Sequence, residues 1–144
     1  MKINTKLFIT LLSFILLSTA CQHKKTETVV IDTWENGKPK KTMEYIIEED
    51  GKKTAYKETS YHHNEQKFIE GTYDTKQERN GEWISWFDDG KKNSQGTYVN
   101  GELDGKYTVW YPNGNIHYTG RYKKGKQIGK WKFYSEDGNL INET

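Results

Sequence analysis

Gly81-Glu82-Trp83-Ile84-Ser85-Trp86-Phe87-Asp88-Asp89-Gly90 decides the fold, because the chain writes this stretch three times. It returns as Gly105-Lys106-Tyr107-Thr108-Val109-Trp110-Tyr111-Pro112-Asn113-Gly114. It returns again as Gly129-Lys130-Trp131-Lys132-Phe133-Tyr134-Ser135-Glu136-Asp137-Gly138, and the starts are 24 residues apart both times. A fixed period of this size marks a repeat architecture. Within each copy Trp83, Ser85 and Phe87 fall on one face of an extended chain, and Ile84 and Trp86 on the other. With glycine at both ends, about eight residues remain between turns, which is strand length rather than helix length. Asp89-Gly90, Asn100-Gly101, Asn113-Gly114 and Asp137-Gly138 read as hairpin turns of type I′, in which both central residues need positive φ.

The segments between the copies repeat as well. Gly96-Thr97-Tyr98-Val99-Asn100-Gly101 matches Gly120-Arg121-Tyr122-Lys123-Lys124-Gly125, and Gly71-Thr72-Tyr73 is an earlier version. Tyr61-His62-His63-Asn64 aligns with Tyr111-Pro112-Asn113-Gly114, with Asn64 in the glycine slot. Trp34-Glu35-Asn36-Gly37 with Tyr45, and Glu49-Asp50-Gly51, continue the pattern toward the N-terminus. Hairpins in chain order make an antiparallel β-meander. The expectation is an all-β sheet of nine or ten strands between Val29 and Ile141, with aromatics from successive repeats stacked along one face.

Composition agrees with strands. From Gln22 onward there are two leucines, Leu103 and Leu140, and one alanine, Ala55, whereas aromatics make up 14% of the chain. Helices favour Leu and Ala, while strands favour aromatic and β-branched residues. The aromatic content also separates the chain from disordered sequences, despite 33% hydrophobic residues. Trp83, Tyr107 and Trp131 share one repeat position, and Trp86, Trp110 and Tyr134 share another.

The run from Trp83 to Gly101, and its copy from Tyr107 to Gly125, resembles the MORN-type repeat. The closer resemblance is to the bacterial variant found in proteins described as antitoxin-like. It covers about Trp34 to Gly138 and is strong over Gly81 to Gly138. The resemblance implies a MORN-like repeat sheet and a role as an interaction or membrane-associated module. The antitoxin description is not carried over, because such pairs meet in the cytoplasm and this chain opens with an export signal.

That signal occupies residues 1–20. Lys2 and Lys6 precede an apolar run from Leu7 to Leu17, broken by Thr10 and Ser13, and small residues follow. The run is too short to be read first as a spanning helix. Leu17-Ser18-Thr19-Ala20-Cys21 resembles a lipobox, which implies diacylation of Cys21, the lone cysteine. Each buried CH₂ contributes about 0.8 kcal/mol to such an anchor. Gln22 follows the cysteine where lipoproteins retained in the inner membrane of enteric bacteria carry Asp, so the resemblance favours the outer membrane. Residues 21–28 read as the lipidated cysteine and a tether of about 23–25 Å, and residues 29–144 as the repeat domain.

Charge excludes one class of partner. The chain has 22 Lys and Arg against 20 Asp and Glu, and removing Lys2 and Lys6 leaves a neutral body. Nucleic-acid binding needs a basic surplus to displace counterions. Arg121, Lys123, Lys124 and Lys126 form a local basic stretch, with no acid between Gly120 and Trp131. It suits an anionic surface or, as the plainer reading, protection of a late strand edge.

No residues stand in a nucleophile-elbow context, and near-identical repeats imply shared structural roles, so no catalytic residues and no cofactor are assigned. His62 and His63 leave a weak metal site open if they lie on a turn; two solvated turn histidines are the plainer reading, and no metal is assigned. Asp88-Asp89 and Glu136-Asp137 are explained by turns, since neither has the alternating oxygen ligands of a calcium loop. The expected role is a membrane-anchored, non-catalytic module holding a protein partner at the envelope. Trp86, Trp110, Tyr134, Tyr98 and Tyr122 are its candidate surface. A carbohydrate- or wall-binding module using exposed aromatics is the alternative; an enzyme accessory or metal binder is a weaker third.

Overall fold

The computed structural model describes residues 24–144. The export signal at residues 1–20, Cys21 and Gln22 lie outside the described residues. Ten strands follow in chain order: β1 (Lys25–Thr33), β2 (Pro39–Ile47), β3 (Lys53–Tyr61), β4 (Lys67–Tyr73), β5 (Arg79–Trp86), β6 (Lys92–Val99), β7 (Glu102–Trp110), β8 (Ile116–Lys123), β9 (Lys126–Tyr134) and β10 (Leu140–Glu143). They form one antiparallel sheet in which spatial order equals chain order, as the meander reading expects. The sheet starts four residues ahead of the expected boundary. Lys25 to Thr28, read as tether, pair with Ile47 to Glu44, and Lys53 bonds Glu27 at 2.8 Å from β3. Their Lys-Thr-Glu-Thr sequence is polar, and pairing with β2 rather than apolar content brings it into the sheet.

Two kinds of turn join the strands, the five-residue kind at every connection from β1 to β6 and the two kinds in alternation from there on. Asn100-Gly101 and Lys124-Gly125 have positive φ at both residues, 50° and 80°, and 49° and 71°, as type I′ requires. Asp89-Gly90, Asn113-Gly114 and Asp137-Gly138 do not; there positive φ falls on the glycine alone. In these turns the first residue's N–H donates to the fifth residue's carbonyl, and the fourth's N–H donates to the first's. That is a type I turn closed by one left-handed residue. The Asn or Asp before the glycine serves a different purpose from the one the sequence suggests. Asn36, Asp50, Asn64, Asp89 and Asn113 each accept the backbone N–H two residues on, at 2.9–3.1 Å. Asn64 therefore aligns with Asn113, and Glu65, with φ 66°, takes the glycine slot, one residue away from the sequence alignment.

Gly81, Gly105 and Gly129 do not bound strands; they lie inside β5, β7 and β9 at positive φ. Gly71 pairs with Trp83 but Tyr73 pairs with Arg79, so extra residues bulge around Gly81. The same shift recurs between β6 and β7 and between β8 and β9. A bulge bends its strand and increases the local twist, and a left-handed residue in it is best a glycine.

The interior of this single layer is a row of rings on glycines. Register places Gly71, Trp83, Gly96, Tyr107 and Gly120 directly opposite one another across β4 to β8, and Trp131 of β9 lies over Gly120. A Cβ on Gly71 would meet the Trp83 ring at 2.1 Å, one on Gly96 the Tyr107 ring at 2.6 Å, and one on Gly120 the Trp131 ring at 2.3 Å. The rings therefore do not stack in a column, because a glycine strand separates each from the next. Trp83 is 3% exposed and Trp131 4%. Burying a ring of 150–250 Å² contributes about 4–6 kcal/mol, a large share for a sheet with so few aliphatic residues.

Candidate interaction surface

Alternation gives the sheet two unlike faces. The ring face carries Trp83, Tyr107 and Trp131, flanked edge-on by tyrosines. Tyr73 and Tyr98 lie 5.3 and 6.2 Å from the Trp83 ring, and Tyr122 lies 5.7 Å from Tyr107 and 5.1 Å from Trp131. The Arg79 guanidinium sits 3.9 Å above the Trp83 ring. Burial pushes the Tyr107 and Tyr118 phenols above their ordinary range.

The other face is polar. Its central row runs Thr42, Thr59, Glu70, Ile84, Gln95, Thr108, Thr119 and Lys132 across β2 to β9. Thr42, Thr59 and Thr108 are buried there; Thr108 and Thr119 share a hydroxyl hydrogen bond of 2.9 Å. Such cross-strand pairs are the unit of sheet stabilisation.

The five aromatics expected to form one surface are divided between these faces. Tyr98 and Tyr122 belong to the ring face, where they wall the tryptophans. Trp86, Trp110 and Tyr134 are half-buried on the polar face, at the same place in successive hairpins. Lys67 Nζ lies 5.7 Å over the Trp86 ring and Lys92 Nζ 5.8 Å over Trp110. These cation–π contacts contribute about 0.5–1 kcal/mol each at exposed sites. A shallow depression of about 300 Å³ opens beside Trp110, lined also by Glu82, Gln95, Thr97, Lys106 and Thr108.

Arg121, Lys123 and Lys126 come together on the polar face, and Lys124 occupies the hairpin turn. Lys106, which the sequence reading passed over, joins them: register places Lys106 opposite Arg121, and Lys123 opposite Lys126. The signal was present, since Lys106 follows the bulge glycine of its repeat, but a linear scan for charge runs does not see across strands. Edge protection does not account for the cluster. β8 pairs with β7 and β9, and β9 pairs with β10, so neither is an edge. Lys123 bonds Asp104 at 3.1 Å and, with the Lys124 N–H, holds that carboxyl below the usual carboxylate range.

The histidines do lie on a turn, and each has a contact of its own. His62 Nε2 is 2.9 Å from the Trp86 carbonyl oxygen, the place where Tyr111 reaches the Tyr134 carbonyl at 2.9 Å. His63 stacks on Trp34, with ring centroids 3.6 Å apart. Among the described residues no group of three or more His, Cys, Asp or Glu could hold a metal ion.

The ring row breaks at β3. Glu58 stands where the later repeats have Trp83, Tyr107 or Trp131, and Met43 faces it where they have glycine. Glu58 is 6% exposed, and Lys41 meets it at 3.0 Å, Tyr73 Oη at 2.6 Å and Ser60 Oγ at 3.3 Å. Burial acts to raise its pKa, but the hydrogen bonds from Tyr73 and Lys41 and the Lys41 charge outweigh burial and hold it below the ordinary range. Tyr73 is pushed up to about 12 by burial and by the Glu58 carboxylate.

The family model described as MORN repeat variant matches residues 79–100, 103–124 and 127–144. These three units coincide with β5–β6, β7–β8 and β9–β10. No curated protein matches the chain. Repeats of this kind are commonly protein- or membrane-interaction modules and are generally non-catalytic.

Proposed function

We propose that the chain is a non-catalytic interaction module, held at the cell envelope by acylation of Cys21, that binds a protein partner through one face of its sheet. The observation that carries this reading is the single layer itself. Repeats are bound to their neighbours by rings on glycines and by turn contacts, so in the described residues both broad faces stay open to a partner. Repeat sheets and solenoids use such extended surfaces for binding. Acylation rests on the lipobox-like Leu17 to Cys21, and Gln22 favours the outer membrane. With β1 starting at Lys25, three residues separate Cys21 from the sheet, a reach of about 10–14 Å. The domain therefore works close to its anchor.

Crosslinking in intact cells, followed by pull-down of the chain with Cys21 intact and with Cys21→Ser, tests the reading. Expected are acyl mass on Cys21 and a defined crosslinked partner that diminishes in the serine variant. Binding to purified peptidoglycan without any protein crosslink would replace it with the wall-binding alternative.

A further inference from the structure

We propose that the partner's docking segment is an acidic, extended stretch of chain that lies across the corner formed by Lys106, Arg121, Lys123 and Lys126. The inference rests on the reading of the chain as a protein-binding module and names the chemistry of what it binds. Like charges stand directly opposite each other twice, Lys106 against Arg121 and Lys123 against Lys126. Such pairs destabilise a sheet, and in interior strands they do not serve as edge guards. Three acids stand close by. Asp104 is engaged by Lys123 and the Lys124 N–H, Glu102 lies beside the Lys124-Gly125 turn, and Glu82 lines the depression beside Lys106, where it accepts from the Gln95 amide. With Lys124 of the turn there are five cations, and against three acids they leave two positive charges in excess at this corner.

Spacing points to the form of the ligand. Arg121 and Lys123 are two apart on β8, and alternate side chains of a strand are about 6.7 Å apart. An extended segment with acids at alternate positions repeats at the same interval. Apolar surface adjoins the cations: Ile128 opposes Arg121 and is exposed, and Lys106 also lines the depression that holds Trp110. A cationic strip beside a half-buried indole suits a peptide that alternates acidic and apolar side chains.

The probe is a fluorescein-labelled twelve-residue peptide alternating glutamate with valine, titrated by anisotropy into the purified full chain at low and physiological salt. Binding should weaken as salt rises. The pair Arg121→Glu with Lys126→Glu should lower affinity roughly tenfold. The control pair Lys52→Glu with Lys76→Glu, on turns elsewhere, should change it less than about twofold. A second readout separates this role from a structural one: Lys106→Glu should raise the thermal midpoint of the chain alone, by removing a like-charge pair, while weakening the peptide. Equal losses from both pairs, salt-independent binding, or a lowered midpoint for Lys106→Glu with unchanged binding would overturn the proposal. So would vesicles containing one-third phosphatidylglycerol that bind the chain, respond to the same reversals and leave the peptide unbound; that result assigns the corner to a membrane. An unacylated Cys21 would sink the anchoring reading without altering the peptide titration.

Discussion

Replacing Gly120 by alanine should test the ring-on-glycine row more sharply than removing a ring. The added Cβ would stand 2.3, 2.4 and 2.8 Å from three carbons of the Trp131 indole. Ordinary carbon–carbon contact begins near 3.5 Å, so the ring must retreat by about 1 Å. It has little room: it is 4% exposed, with Tyr122 edge-on at 5.1 Å and Tyr118 at 6.2 Å. Overpacking of this kind costs about 1–3 kcal/mol, and a weakened aromatic pair adds about 0.5–1.5. Glycine has no left-handed φ at this position, so alanine recovers about 0.5–1 kcal/mol through the unfolded chain. The net loss should be about 2–3 kcal/mol by urea denaturation followed by far-UV circular dichroism. Trp131→Ala should lose about 3–5 kcal/mol. The double variant decides the matter. With the ring gone there is nothing for the new methyl group to meet, so Gly120→Ala/Trp131→Ala should be no less stable than Trp131→Ala alone. Additive losses, or a cost below about 0.5 kcal/mol for Gly120→Ala, would refute the claim that the ring seals on the glycine backbone.

Other consequences can be measured directly. The folded pKa of Glu58 is held below its ordinary 4.5, so its contribution is present above that value and is lost as pH falls through the lowered one. Glu58→Gln should therefore destabilise the sheet at pH 7 and less so at pH 3, as read from urea midpoints at the two pH values. Tyr73 should ionise near pH 12 by absorbance at 295 nm, and Glu58→Gln should lower that value. At the turns, Gln77→Gly should raise stability by about 1 kcal/mol, because Gln77 holds φ 65° with a side chain that disfavours it. Asn100→Ala, at φ 50°, should lower stability by a similar amount, and a neutral result in thermal melts would contradict the assigned turn geometry.

Strand number, strand order and the equivalence of Trp83 with Tyr107 and Trp131 were legible because hydrophobic period and turn spacing act locally. Glycine function was less so. Asn100-Gly101 reads as a type I′ turn and is one, but Gly81 and Gly96 are marked alike, as first residues of repeated segments, yet one sits in a bulge and the other lies under a ring. These two roles depend on what the neighbouring strand places opposite, which a single chain segment does not state. The same limit split the aromatic surface. Alternation assigns Trp86 and Tyr98 to faces within their own strands, but which faces coincide follows from the register between β5 and β6. Lys106 escaped notice for the same reason, being fifteen positions from its partner Arg121.

Glu58 explains why the repeat fades toward the N-terminus while the sheet does not. Between β4 and β5, β6 and β7, and β8 and β9 a ring of the later strand lies on a glycine of the earlier one, and this demands both residue types at fixed places. At β2 and β3 those places hold Met43 and Glu58, and the join is made by Lys41, Ser60 and Tyr73 around a buried carboxylate. What persists is the turn geometry: His62 reaches the Trp86 carbonyl as Tyr111 reaches that of Tyr134, and Asn64 reaches Asp88 as Asn113 reaches Glu136. Strand pairing thus needs the turns, whereas the ring row is one of two ways to fill the face above them. The family match begins at residue 79, at the start of β5, beyond the strands that use the carboxylate. Lys106, Arg121 and Lys123 of the basic corner lie within the matched part and Lys126 falls between its last two units, on a framework of rings and glycines that tolerates the like-charge pairs placed on its opposite face.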